Sequence, residues 1–303
     1  MEKDPLIVQG RGSTLKGIVT LSLMVANVLF WVPILMAVAV AKLLVPLAGW
    51  RTVTSRWMTR LAEAWISCNG AIFRHMRVLR LQVEGIASLP PGEWYLVVSN
   101  HRSWVDILVL QETFNRRIPF LKFFLKQQLI WVPFLGLAWW ALDFPFMRRH
   151  SAAYLAEHPE ARGQDLAATR KACERFARIP TSVMNFVEGT RYTPAKHAAL
   201  QSPYRHLLPP RAGGIAFVLG AMGQMLHSVL DVSIAYRESN PSLWDLCCGR
   251  LQPVQVDVQQ RPVERWTVEG DYSNDPVFRA RIQQWLGDWG AQKDRRIEAM
   301  LLA

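Results

Sequence analysis

Trp94-Tyr95-Leu96-Val97-Val98-Ser99-Asn100-His101-Arg102-Ser103-Trp104-Val105-Asp106 opens as a short apolar run of the buried-strand type. The polar residues that follow lead into a helical pattern over Ser103 to Thr113. His101 therefore stands where a strand gives way to a helix. In an α/β sheet that is the edge at which ligands usually bind.

The same arrangement recurs further on. Val183 to Val187 reads as a second buried strand, and it delivers Glu188-Gly189-Thr190-Arg191. Val78 to Val83 and Val229 to Tyr236 read as further strands, with a turn at Leu89-Pro90-Pro91-Gly92. Pro209 to Gly214 reads as a loop leading to a helix over Ile215 to Met222. Glu157 to Gln164 is a polar linker, after which Asp165 caps a helix to about Arg178. The tail, Asp275 to Leu302, has the pattern of an amphipathic helix with charges paired at helical spacing. Alternating strands and helices predict one α/β domain over 51–303.

Residues 1–50 have a different character. Gly17 to Ala41 carries no charged residue, and as one helix it would rise about 38 Å, against a hydrocarbon core of about 30 Å. Pro33 is expected to interrupt this helix, with Pro46 and Gly49 ending it. Arg11 and Lys16 precede the segment, while Arg51, Arg56 and Arg60 follow it. Basic residues on both flanks leave a single span unoriented and suit a helix pair dipping into one leaflet. A cleaved signal peptide fits less well, because the apolar region is too long and resumes after Lys42. Residues 17–50 are thus read as an anchor holding the chain on the cytoplasmic face of the inner membrane.

Composition points the same way. The chain has 303 residues, half of them hydrophobic, and a formal net charge of +11. Its mean hydropathy is +0.07, and much of the apolar excess lies before Trp50. Such a basic surface suits anionic lipid headgroups or acidic substrates, and no nucleic-acid motif accompanies it. Cys68, Cys173, Cys247 and Cys248 have neither metal spacing nor disulfide density, so reduced cytosolic thiols are expected.

Between Arg116 and Arg149 the aromatic density is high, with Phe120, Phe123, Phe124, Trp131, Phe134, Trp139, Trp140, Phe144 and Phe146 punctuated by Lys122 and Lys126. An ordinary aromatic core accounts for most of these rings. A lipid-interface surface or the wall of an acyl-chain tunnel is the alternative.

A hydroxyl is a poor nucleophile, so transfer to it needs a base within hydrogen-bond reach. Neutral His101 can take that proton if a carboxylate holds its other ring nitrogen, and Asp106 is placed to do so. Ser103-x-x-Asp106 is also a capping-box pattern, so Asp106 has a second, purely structural reading. Gly189 removes a side chain where the backbone can approach a ligand, and Arg191 offers a planar fork suited to phosphate. A plain turn with a surface ion pair is the alternative there. Arg148 and Arg149 form a second basic pair, read either as a phosphate site or as solvated surface. Asn100 and backbone N–H groups at the helix start are candidates for stabilising an oxyanion. No nucleophile elbow, nucleotide loop or metal cluster is present, which favours direct transfer from a thioester over an acyl-enzyme.

These motifs resemble those of the glycerophospholipid acyltransferase superfamily, the PlsC-like 1-acylglycerol-3-phosphate acyltransferase group. The resemblance rests on four blocks between Asn100 and about Tyr236. Asn100-His101-x4-Asp106 and Glu188-Gly189-Thr190-Arg191 are complete. Pro145-Phe146-Met147-Arg148-Arg149 is similar to the second block, with Asp143 where a leading glycine is usual. The fourth, a proline-bearing strand, is degenerate around Val229 to Tyr236. Leu208-Pro209-Pro210-Arg211-Ala212-Gly213-Gly214, together with the Trp- and Lys-bearing tail, is similar to the lysocardiolipin and lysophosphatidylinositol acyltransferase branch.

The resemblance implies a central mixed sheet flanked by helices, with His101 as base and Asp106 as its orienter. It implies Glu188, Gly189, Thr190 and Arg191 as the lysophospholipid-binding element and a phosphate role for Arg149, with Arg148 and Asn100 kept as further substrate-binding candidates. It also implies no metal and no cofactor beyond an acyl-CoA or acyl-carrier-protein thioester, a lysophospholipid acceptor such as lysophosphatidic acid, and a tunnel drawn from Phe120 to Trp140. A transacylase or lipid hydrolase using the same pair, and a catalytically silent membrane adaptor, are the competing readings.

Overall fold

The computed structural model describes residues 11–86, 89–147, 173–174, 176, 179–272 and 274–303. Arg148, Arg149, the linker over 157–164 and the helix start at Asp165 lie outside the described residues. A six-stranded sheet forms the centre, in the order β1 (Leu81–Glu84), β8 (Val254–Arg261), β7 (Leu226–Ala235), β2 (Trp94–Ser99), β6 (Ser182–Phe186), β3 (Leu121–Phe123). β2 runs parallel to both β6 and β7, while β7 and β8 are antiparallel, so the sheet is mixed as expected. The apolar run of β2 is explained by its place: covered on both faces, it has no solvent side to demand alternation.

One face of the sheet carries Tyr95, Val97, Leu230 and Val232 against α1 (Arg11–Leu44), α2 (Ala48–Met76), α3 (Val105–Phe114) and α4 (Leu135–Ala141). The other carries Leu96, Val98 and Val183 against α6 (Ala212–Met222) and α9 (Pro276–Leu302). Shorter α-helices among the described residues include α5 (Pro194–Ala199), α7 (Leu243–Cys247) and α8 (Trp266–Glu269). β8 and the short strands β3, β4 (Leu125–Lys126) and β5 (Phe146–Met147) have no counterpart in the sequence reading.

The N-terminal segment departs from expectation in two ways. Pro33 lies inside α1 without ending it, and the chain turns only at Val45–Leu47. α2 then begins at Ala48, so the expected boundary after Trp50 falls inside a helix. α1 and α2 form an antiparallel hairpin: Lys16 Nζ donates to Arg77 O, Asn27 Nδ2 to Asn69 Oδ1 at 2.8 Å, and Trp50 Nε1 to Ala41 O. Val32, Leu35 and Ala39 share one buried cluster with Met58, Tyr95 and Val97. Fully burying a side chain such as Leu35 contributes about 1.5–3 kcal/mol, so α1 is part of the domain's core as well as a candidate anchor. Its remaining surface is apolar and exposed, including Leu15, Ile18, Leu29, Phe30 and Leu44, and it is long and apolar enough to cross a membrane.

The tail helix is also corrected in one respect. α9 starts where expected, with the Asp275 carboxylate accepting from Val277 N and Phe278 N. Four of its charges do not pair along the helix. Lys293, Arg296, Asp294 and Glu298 instead reach into the sheet and the loop before α6. The reason is that α9 is packed against the domain, with Ile282, Leu286, Trp289, Lys293 and Ile297 buried.

Candidate active site

Three adjacent parallel strands deliver residues to the same edge. His101 follows the end of β2 by two residues, Glu188 follows β6 by two, and Tyr236 follows β7 by one. Parallel pairing aligns these ends, as the register Ser99 with Phe186 and Ser99 with Val232 shows.

His101 Nδ1 lies 2.8 Å from Asp106 Oδ2. Asp106 is fully buried, and Oδ2 also accepts from Arg102 N (2.6 Å) and Ser103 N (2.8 Å). Its other oxygen accepts from the Tyr236 hydroxyl at 2.7 Å. The two readings of Asp106 are therefore compatible, since the carboxylate reaches back to the turn as a cap and holds the imidazole at once. Asp106 has no rotational freedom left. Beneath His101, the Phe186 ring stacks at 3.8 Å between centroids with an 11° interplanar angle. Among the described residues no hydrogen bond reaches His101 Nε2.

Tyr236 was not expected at the site from its side chain; it entered only as the last residue of a strand. Burial and the neighbouring Asp106 carboxylate push its hydroxyl well above the usual phenol range, so it acts as a donor. A polar-ended aromatic closing a buried apolar strand is the signal that would have found it.

The second motif lies alongside the first. Tyr192 N donates to His101 O at 2.8 Å, and the Arg191 guanidinium lies 5.2 Å over the half-exposed Trp104 ring. Arg102 stacks over the Tyr192 ring at 4.3 Å. Gly189 has φ +68°, a left-handed backbone that a side chain would strain. Thr190 Oγ1 accepts from Lys196 Nζ at 2.7 Å. Arg191 is exposed at the rim beside His101.

Two expected substrate contacts take other positions. Asn100 is buried, and its amide exchanges two hydrogen bonds with the backbone of Ile234, both 2.9 Å. It continues the β2–β7 ladder by one side-chain rung, turned into the sheet and away from solvent. Glu188 is 2% exposed and lies behind the His101 loop. Its oxygens accept from His101 N and Leu208 N, each at 2.8 Å. Burial pushes its carboxyl up to about 7, against these two bonds and the Lys293 charge, which lower it, while Asp106 adds to the rise. Glu188 is placed to position His101, out of reach of a ligand.

The aromatic segment divides. Phe120, Phe123 and Phe144 are core, whereas Trp131 (84% exposed), Phe134, Leu137 and Trp140 face outward on and beside α4, which packs on α1. Asp143 adopts φ +58°, and its carboxylate pairs with Lys42 at the end of α1 at 2.6 Å.

Comparison with known proteins gives a family model, Acyltransferase, matching residues 80–237. Lysocardiolipin acyltransferase 1 from Mus musculus is 27% identical over 262 residues, covering 80% of this chain and 64% of that protein. The 1-acyl-sn-glycerol-3-phosphate acyltransferase gamma from Homo sapiens is 24% identical over 216 residues, covering 67% and 52% respectively. The chain thus spans less than two thirds of the length of either relative. The crystal structure of the 1-acyl-sn-glycerophosphate (LPA) acyltransferase PlsC from Thermotoga maritima shares the fold, with a TM-score of 0.51 at 14% identity. That match covers 95% of this chain and 97% of the other.

Proposed function

Since the chain belongs to the acyltransferase family, we propose that it transfers a fatty acyl group from an acyl thioester to the sn-2 hydroxyl of a lysophospholipid, most simply lysophosphatidic acid to give phosphatidic acid. The observation that carries this reading is the His101–Asp106 contact at the strand edge, with Nε2 left open. His101 Nε2 takes the acceptor hydroxyl's proton as the oxygen attacks the thioester carbonyl. The tetrahedral intermediate then collapses by breaking the C–S bond, and the imidazolium returns its proton to the leaving thiolate. Asp106 keeps the neutral imidazole in the tautomer with hydrogen on Nδ1 and stabilises the cation that forms transiently. The donor is an acyl-CoA or an acyl-carrier-protein thioester.

The basic rim of Arg191 and Lys196 supports binding of the acceptor's phosphate, since both side chains stand beside the His101 loop. Arg148 and Arg149 remain candidates for the same headgroup. The outward aromatics from Trp131 to Trp140, next to the apolar face of α1, support a hydrophobic path for the acyl chain. Because α1 is unbroken at Pro33, Arg11 and Lys16 lie at one end of it and Lys42 and Arg51 at the other, which fits α1 as a single apolar anchor in the inner membrane better than a helix pair dipping into one leaflet.

The test uses purified full-length protein with acyl-CoA and a lysophosphatidic acid acceptor, followed by thiol release and mass spectrometry of the lipid. His101→Ala is expected to lower turnover by about 10²–10⁴-fold while leaving the thermal midpoint native. Native turnover by that variant refutes the role of His101. Free fatty acid in place of acylated lipid identifies a hydrolase, and transfer without a thioester identifies a transacylase.

A further inference from the structure

Lys293 is a buried lysine on α9, 2% exposed, with no part in the chemistry above. Its Nζ donates to Val232 O at 2.6 Å and Val98 O at 3.2 Å, the strands that carry Tyr236 and His101. It also lies 2.8 Å from Asp231 Oδ1. Asp231 has other partners: Arg296 at 2.5 Å and Arg261 at 3.0 Å share its second oxygen, and Arg296 also reaches Asp257 at 3.5 Å. Lys293, Arg296 and Arg261 therefore face only Asp231 and Asp257 within the cluster. Burial disfavours the Lys293 ammonium, and the Asp231 and Glu188 carboxylates oppose that by favouring it. A cavity of about 20 Å³, room for roughly one water, lies beside the cluster, and Glu188 lines it together with Lys293, Asp231, Val98 and Trp289.

We propose that Lys293 is a positioning residue: across this cavity its ammonium holds Glu188 in the carboxylate form that fixes the His101 loop. The inference deepens the acyl-transfer reading and rests on it for its kinetic readout. As a carboxylate, Glu188 accepts from both His101 N and Leu208 N. Protonated, one of its oxygens carries a hydrogen that faces an N–H donor, so one bond is lost and the loop is released. The groups facing Glu188 are His101, whose N–H it binds, Asp106 beyond the His101 turn, Asp231 on β7 and Lys293 on α9. Burial and Asp106 favour the acid, while the Lys293 charge favours the carboxylate. In the native chain Asp231 is ionised: burial raises its carboxyl, but Lys293 and Arg296 outweigh that and hold it at about 2.

The experiment compares the native full chain with Lys293→Met, Lys293→Gln and Glu188→Gln. Infrared titration follows the carboxylic-acid carbonyl band that disappears in Glu188→Gln, and kcat/KM is measured over the same pH range. Lys293→Gln removes the charge while keeping an N–H donor on a shorter side chain, and Lys293→Met removes both charge and donor. Both Lys293 variants are expected to raise the band's midpoint by about one pH unit, with the acid limb of kcat/KM moving equally. A folded Lys293→Gln protein with the native midpoint overturns the proposal. So does failure of both Lys293 variants to fold at every pH, which would make Lys293 a structural strut. Absence of turnover in the native protein would remove the acyl-transfer reading but leave the infrared result intact.

Discussion

One phenolic hydroxyl, that of Tyr236, fixes the orientation of the Asp106 carboxylate from the side opposite His101. Tyr236→Phe keeps the ring and its packing and removes only this donor. The buried Oδ1 is then short of a partner, at a cost of about 1–3 kcal/mol, and His101 loses part of its alignment. A roughly tenfold fall in kcat with an unchanged KM is expected, read by steady-state kinetics beside a denaturation curve. At this scale the His101–Asp106 contact and the left-handed turn at Gly189 were legible, because spacing within a short motif already limits where a side chain can go. Asn100 and Glu188 were not. Whether a polar side chain faces a ligand or a backbone amide is decided by partners such as Ile234 and Leu208, distant or unpatterned in sequence.

Among the elements, the loop after α4 is where a local departure from the family pattern has a physical explanation. Asp143 stands where a leading glycine is usual, and it holds a left-handed backbone that aspartate tolerates better than most residues. Its pairing with partly exposed Lys42 adds no more than about 1 kcal/mol. Asp143→Gly loses the pair but relieves the backbone, so the thermal midpoint should stay within about 2 °C of native. Asp143→Val keeps the strain, loses the pair and adds β-branching, and should cost about 1–3 kcal/mol in chemical denaturation. Strands β2, β6 and β7 could be read from their apolar runs, and α9 from its periodicity. The short β3, β4 and β5 could not, since two or three residues carry no period, and the pairing that makes them strands is with distant partners.

For the whole molecule, α1 is structural as well as apolar. Deleting residues 1–47 would uncover Met58, Ala62 and Ile66 and remove Val32, Leu35 and Ala39 from the shared core. The truncated chain is expected to aggregate or be digested rapidly even in detergent, as size-exclusion chromatography and limited proteolysis would show. Stability should also carry a pH signature from Glu188. Its folded carboxyl is raised to about 7 from 4.5, so its favourable contribution is complete below pH 4.5 and is lost as pH rises through 7. Glu188→Gln should flatten that decline in thermal midpoints measured between pH 4.5 and 7.5. Asp231, lowered to about 2, acts oppositely, with stability present above 3.8 and lost as pH falls toward 2. The amino-acid order alone determined the α/β class, the strand-to-helix site of His101 and the apolar length of α1, since period, motif spacing and hydropathy are local properties. Only tertiary structure decided that α1 shares the domain core, that α9 sends Lys293 beneath the site, and that Tyr236 completes it. Those outcomes depend on which buried groups meet across the sheet, and a buried charge or hydroxyl is satisfied by whichever partner the packing brings to it.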